Sequence, residues 1–241
     1  MIDRLAPRER PPGRPAGFQR WRKLLFLHWA FPADAVRETL PPDLELDPWE
    51  GQAWIGMVAF TMRDVAPWWS PSVPGISNFH ELNVRTYVVR DGVPGVWFYS
   101  LDAANSLAVV VARTGWKLPY HKASMSLETE EESVVYRCRR RWPRPTPADF
   151  EARYRVSGDA EIAAPGSFDH FLVERYVLFA RDGERTLSGR VHHEPYPLCS
   201  VTVEHVEQTM TEAIGLGPTA GAPLAHYSDG VDVDVYALEP V

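Results

Sequence analysis

Asn83-Val84-Arg85-Thr86-Tyr87-Val88-Val89, then Arg90-Asp91-Gly92-Val93-Pro94-Gly95, then Val96-Trp97-Phe98-Tyr99-Ser100-Leu101, is the stretch on which the fold turns. Two runs rich in β-branched and aromatic residues flank an Asp-Gly pair, which tolerates the positive φ angles of a tight hairpin. The reading is two paired strands. Successive strand side chains alternate faces, so Asn83, Arg85, Tyr87 and Val89 share one side while Val84, Thr86 and Val88 share the other. Asn83 and Arg85 therefore point together, either into a barrel or out to solvent. Inside a barrel, an arginine beside a tyrosine is a clamp for a carboxylate.

The flanking sequence extends the same pattern. Trp21 to Phe31 reads as a strand, and Pro32-Ala33-Asp34 opens a short helix through Leu40. Gln52 to Met62 is almost wholly apolar or small, as expected of a strand buried on both faces. Ala66 to Gly75 is a loop carrying Trp68 and Trp69, either a plug for one end of the core or a lid over a pocket. Asp102-Ala103-Ala104-Asn105 offers caps for a helix over Ser106 to Thr114, apolar almost all round and so expected to be buried, with Gly115 as its left-handed end. Lys122 to Glu128 and Ser133 to Trp142 form a second hairpin. A Pro-rich connection, Trp142 to Phe150, leads to strands at Tyr154–Ile162, Tyr176–Ala180, Thr186–His193, Val201–Val206 and Val231–Leu238. Short helices are expected at Ser167–Leu172 and Glu207–Ile214. Without regular strand–helix alternation, the fold class is α+β and mainly β: an antiparallel, closed or nearly closed barrel with a few short helices. Residues 1–17, rich in Arg and Pro, read as a disordered arm; residues 18–241 read as a single domain.

Composition limits the function. The 241 residues are 45% hydrophobic and 12% aromatic, ample for a core. The net charge of −7 argues against a nucleic-acid surface, and no apolar run approaches membrane-spanning length. Cys138 and Cys199 are the sole cysteines and the start has no secretory h-region, so reduced thiols in a cytoplasm are expected. Cys138 should face inward while its neighbours Arg137, Arg139, Arg140 and Arg141 face water. No metal or cofactor is expected, since HExxH, paired Cys-x-x-Cys, Walker and Gly-x-Gly-x-x-Gly patterns are all missing. Nor is there a Gly-x-Ser-x-Gly elbow.

The densest chemical segment runs from Ala112 to Ala123, with Arg113 leaving the helix and Tyr120, His121 and Lys122 in consecutive places. A desolvated amine is a nucleophile towards carbonyls and an imidazole works near neutral pH, so these three are the candidate catalytic residues. The plainer alternative is a loop whose polar ends all reach water. Asn83, Arg85, Arg113 and His192 are the candidate ligand-binding residues.

Several of these segments resemble a known family. Asn83–Val88, Val96–Asp102, Ala112-Arg113 with Leu118-Pro119-Tyr120, and Ala123-Ser124-Met125 are similar to the YqjF-like family of uncharacterised bacterial proteins. Glu174-Arg175-Tyr176, His193-Glu194-Pro195-Tyr196-Pro197-Leu198 and Tyr227–Val233 continue the likeness, which covers roughly residues 18–238. The resemblance implies one domain with an acetoacetate decarboxylase-like β-barrel around a central cavity, and no known activity. The decarboxylase of that superfamily uses a lysine doublet after an Arg-x-x-x-x-x-Pro segment, one lysine forming a Schiff base. Laid on Arg113 through Pro119, the doublet falls on Tyr120-His121, and the superfamily's first-strand arginine has no clear counterpart around Trp29-Ala30. The lysine machinery is therefore expected to be absent.

The leading expectation is a barrel that binds a small acidic or carbonyl-containing molecule, with catalysis left open. The rivals are a non-catalytic structural or interaction domain and a Lys122-dependent Schiff-base lyase. Expected partners are the small-molecule ligand and further copies of the chain, with no nucleic acid and no membrane.

Overall fold

Hairpin 83–101 sits in the wall shared by two barrels. The computed structural model describes residues 2–73, 75–143 and 148–241. Its strands are β1 (Gly17–Pro32), β2 (Glu45–Leu46), β3 (Gln52–Pro67), β4 (Phe79–Arg90), β5 (Val93–Ala103), β6 (Tyr120–Glu130), β7 (Ser133–Trp142) and β8 (Asp149–Ile162). They continue with β9 (Val177–Asp182), β10 (Arg185–His192), β11 (Pro197–Gln208), β12 (Leu224–Val235) and β13 (Glu239–Pro240). Four short helices join them: α1 (Ala33–Arg37), α2 (Ser106–Gly115), α3 (Phe168–Val173) and α4 (Met210–Ala213). Part of the expected Trp142–Phe150 connection, residues 144–147, lies outside the described residues.

All the strands belong to one sheet that closes on itself twice. One ring runs β4-β5-β6-β7-β8-β11-β12-β1-β3 and back to β4; the other runs β5-β9-β10-β12-β1-β3-β4 and back to β5. The sheet forks at two strands. β12 pairs with β11 at His226 and Tyr227 but with β10 at Asp234 and Val235. β5 pairs with β9 at Val96 and Trp97 but with β6 at Leu101 to Ala103. These two β5 pairings are parallel, a departure from the all-antiparallel expectation. The α2 crossover between β5 and β6 brings the chain back in the same direction.

Both faces of the shared wall are interior. On β1, Leu25, Leu27 and Trp29 enter one core while Leu24 and Phe26 enter the other. On β3, Ile55, Met57 and Ala59 oppose Val58, Phe60 and Met62 in the same way. Period-two alternation with apolar residues at both phases is what makes Gln52–Met62 read as continuously apolar. Where β1 bulges between Arg22 and Leu25, Gly230 crosses so close to it that a Cβ would lie 2.0 Å from the Trp21 carbonyl oxygen, so no larger residue fits.

Local signals held where the turn chemistry was explicit. Asp91 and Gly92 take φ of 49° and 78°, the two positive angles of the hairpin turn. Asn105 Oδ1 accepts from the amides of Leu107 (2.9 Å) and Ala108 (3.1 Å), capping α2. Helix α2 departs from expectation in two respects. Leu107 and Val110 are 51% and 53% exposed, because a lone helix lying on a sheet covers one stripe of its surface. The left-handed residue is Lys117 (φ 52°), two places after Gly115.

Residues 2–17 make specific contacts of their own. The segment expected to be disordered lies against the domain: Pro7 is buried within a single turn (Ala6–Arg8), and Arg190 donates to the carbonyls of Pro7 and Glu9. Arg4 pairs with Asp47 and Arg10 with Asp234. Arg-rich composition suggested solvation, whereas distant acids supply the partners.

The arginine run on β7 is corrected at one position. Cys138 is buried, and Arg140, two places on, shares its inward face. Arg140 forms two hydrogen bonds with Asp102, at 2.8 and 2.7 Å, with side chains 5% and 0% exposed. Removing one member of a buried pair strands the other charge. Arg140→Ala should therefore cost about 3–5 kcal/mol in urea unfolding. Arg139→Ala, at an exposed pair next door, should stay within about 0.5 kcal/mol; equal effects would contradict the assignment.

Candidate functional site

The ring closed by β9 and β10 encloses a cavity of about 460 Å³. Its walls are apolar: Trp21, Leu24 and Phe26 from β1, Val58, Phe60 and Met62 from β3, Val96, Phe98 and Leu101 from β5. Ala108 of α2, with Trp116 and Leu118 beyond it, covers one side, while Phe18 and Trp69 border it near the surface. The loop bearing the paired indoles thus reaches the cavity through Trp69.

Strand β4 supplies the polar face. Glu81, Asn83 and Arg85 alternate into the cavity while Leu82 and Val84 enter the opposite core. Tyr120, the first residue of β6, meets them there, and its hydroxyl donates to Glu81 Oε2 at 2.8 Å. Tyr136 holds the same place from the other barrel, its hydroxyl donating to the carbonyls of Glu81 (2.9 Å) and Phe60 (3.2 Å). Burial raises the Glu81 carboxyl to about 8 against the pull of the Tyr120 hydrogen bond, and the charge of Asp102 pushes the same way as burial. Glu81 is therefore a neutral acid at pH 7. Burial, then the neighbouring Glu81, pushes the Tyr120 phenol well above its usual range.

Arg85 is 7% exposed. Its Nη2 donates to the carbonyl of Leu172 in α3 (3.1 Å), which also accepts from the Tyr87 hydroxyl (2.6 Å). The carbonyls at a helix end lack intrahelical donors, so Leu172 is a ready acceptor. Arg85 Nε and Asn83 Oδ1 are buried without a hydrogen-bond partner, and among the described residues no carboxylate lies within ion-pair distance of Arg85. Arg175 also borders the cavity, but its charge is matched by Asp47 at 3.1 Å. Arg175 packs over the rings of Phe171 and Tyr87, and burial lowers it to about 10.

Of the residues singled out from sequence, Asn83, Arg85 and Tyr120 converge on this cavity. The other four do not join them. His121 follows Tyr120 on a strand and so faces away, into a separate outer hollow shared with Arg113 and Tyr99. Burial, with the charge of Arg140 next, lowers its imidazole to about 4. Arg113 donates to the Tyr120 carbonyl (2.6 Å) and stacks on Trp142. Lys122 Nζ is bound to the Ala104 carbonyl, away from the cavity lining. His192 borders an outer hollow beside Arg10 and Asp234. Three titratable residues in a row looked concentrated, but strand alternation and local hydrogen bonds disperse them. Glu81 and Arg175 were missed. Glu81 stands two places before Asn83 and on its face, so the period-two rule finds it once the strand is extended to Phe79.

Among the described residues, no group of His, Cys, Asp and Glu is arranged to hold a metal ion, and no helix is long and apolar enough to cross a membrane. Cys138 and Cys199 are unpaired thiols.

Comparison with known proteins places the fold. The enduracididine biosynthesis enzyme MppR complexed with pyruvate is similar at a TM-score of 0.65 and 13% identity, over 96% of this chain and 93% of that one. An acetoacetate decarboxylase-like enzyme from Sphingomonas wittichii RW1 is similar at a TM-score of 0.65 and 10% identity, over 95% and 94%. At such identities the likeness is one of architecture: an acetoacetate decarboxylase-like fold. The uncharacterized protein YqjF of Bacillus subtilis (strain 168) is 37% identical over 220 residues, 91% of this chain and 90% of that protein. The model of DUF2071, an uncharacterized conserved protein family, matches residues 18–232, and the chain belongs to that family.

Proposed function

We propose that the cavity binds a small organic molecule carrying a carboxylate or carbonyl group. The observation that carries this reading is Arg85, a buried guanidinium aimed into an apolar space with an unpartnered Nε and no carboxylate paired to it. A charge taken out of water without a partner is costly, and an anionic ligand supplies what the chain leaves out. The neutral Glu81 carboxyl and the Tyr120 hydroxyl beside it form a hydrogen-bonded acid pair suited to a carbonyl oxygen or the second carboxylate oxygen. The pyruvate in the MppR complex, an α-keto acid bound by the same architecture, supports the ligand class. No lysine lines the cavity among the described residues, and Tyr120 stands where the decarboxylase doublet would fall, so the reading involves no Schiff base. Two free thiols fit a reducing cytoplasm as the place of action.

Isothermal titration with pyruvate tests the site. Arg85→Ala should weaken binding roughly ten- to a hundredfold, as expected for loss of a charge-assisted hydrogen bond. Unchanged affinity would contradict the reading.

Glu81 sets the pH dependence. Its folded value of about 8 lies above the ordinary 4.5, so the stability it contributes is complete below about 4.5 and is lost as pH rises through about 8. Ionised Glu81 would also repel an anion. Relative to Glu81→Gln, the urea midpoint of the wild type should fall from about pH 5 to 8 and its pyruvate affinity between about pH 7 and 9, and parallel pH profiles would rule out a neutral Glu81.

A further inference from the structure

The cavity is much larger than a three-carbon acid requires, and much of its polarity lies in one patch on β4, with Gln19 and the Asp47-paired Arg175 elsewhere on the wall. Glu81, Asn83 and Arg85 occupy alternate places on one strand, so the polar patch spans about 13 Å at most, at roughly 3.3 Å per residue. The opposing walls present Trp21, Phe60, Met62, Phe98 and Trp116. At about 460 Å³ the cavity falls within the range of about 300–1,000 Å³ typical of sites for organic ligands. A keto acid of pyruvate's size would leave most of that apolar surface unsatisfied. The mouth is apolar as well: Phe18 and Trp69 line it while 44% and 70% exposed to solvent. Exposed large apolar groups bordering a concave site mark a binding surface.

We infer that the physiological ligand is an amphiphilic monocarboxylate, its carboxylate on Arg85 and an apolar body of roughly ten heavy atoms against the aromatic walls and mouth. This rests on the carboxylate reading above and goes beyond it by fixing size and polarity. A matched charge at one end and hydrophobic burial along the rest account for both halves of the lining. Because each buried methylene contributes a constant increment, affinity becomes a ruler for the cavity.

The test is calorimetric titration of the full chain with acetate, butanoate, hexanoate and octanoate, with octanol as the uncharged control. Affinity should rise about fourfold per methylene through octanoate, and octanoate should bind at least tenfold better than octanol. Trp69→Ser, at the exposed rim, should lower octanoate affinity several-fold and leave acetate unchanged. A flat series in which acetate and pyruvate bind as well as octanoate would overturn the amphiphile and leave the carboxylate reading intact. Octanol binding as tightly as octanoate would overturn both, as would the binding of no acid at all. The wild-type series stands whether or not any variant folds.

Discussion

A strand sends alternate side chains to opposite faces, and in β1, β3 and β4 both faces are inside the molecule. That constraint organises everything else. Each wall strand must be apolar at both phases, and any polar residue there faces a core with nothing but designed partners to receive it. Leu82 and Val84 fill one barrel while Glu81, Asn83 and Arg85 enter the other, so one five-residue span lines a core and the cavity at once. The two forks, at β5 and β12, let a single sheet enclose two interiors, one of which holds the cavity.

The electrostatics of the two interiors differ accordingly. In the packed barrel the buried charge is matched within the chain, Asp102 by Arg140. At the boundary of the cavity Arg175 is likewise matched by Asp47, which also receives Arg4 from the N-terminal segment. Arg85 is the exception: held by a helix-end carbonyl and ring faces, it has no carboxylate within ion-pair distance among the described residues, and only the charge of the buried Glu174 reaches it. Burial keeps the Glu81 carboxyl neutral at pH 7, so it adds no negative charge to the wall that carries Arg85.

Sequence legibility followed the range of each interaction. The β4–β5 hairpin was readable because Asp91-Gly92 is a local signal, and the Asn83–Arg85 face followed from period two alone. The cap at Asn105 is equally local. The pairing of β1 with β12 joins residues some two hundred places apart and leaves no local trace. The same holds for Arg4 with Asp47, Arg10 with Asp234, and Arg140 with Asp102, so the N-terminal segment and the β7 arginines both looked solvated. The Tyr120-His121-Lys122 run disperses for a different reason. Proximity in sequence is separation in space on a strand, and what completed Tyr120 was Glu81, 39 places earlier.

The proposed function turns on Arg85, which borders the cavity with no carboxylate within ion-pair distance among the described residues. A crystal structure of the protein soaked with an ω-bromo fatty acid of six to eight carbons addresses it directly, since bromine locates the tail and density the head. The account predicts the carboxylate within hydrogen-bond distance of the Arg85 guanidinium and the bromine among the aromatic side chains of the same barrel. A cavity closed by repacked side chains, or the acid bound elsewhere with Arg85 satisfied by a protein carboxylate, would contradict it.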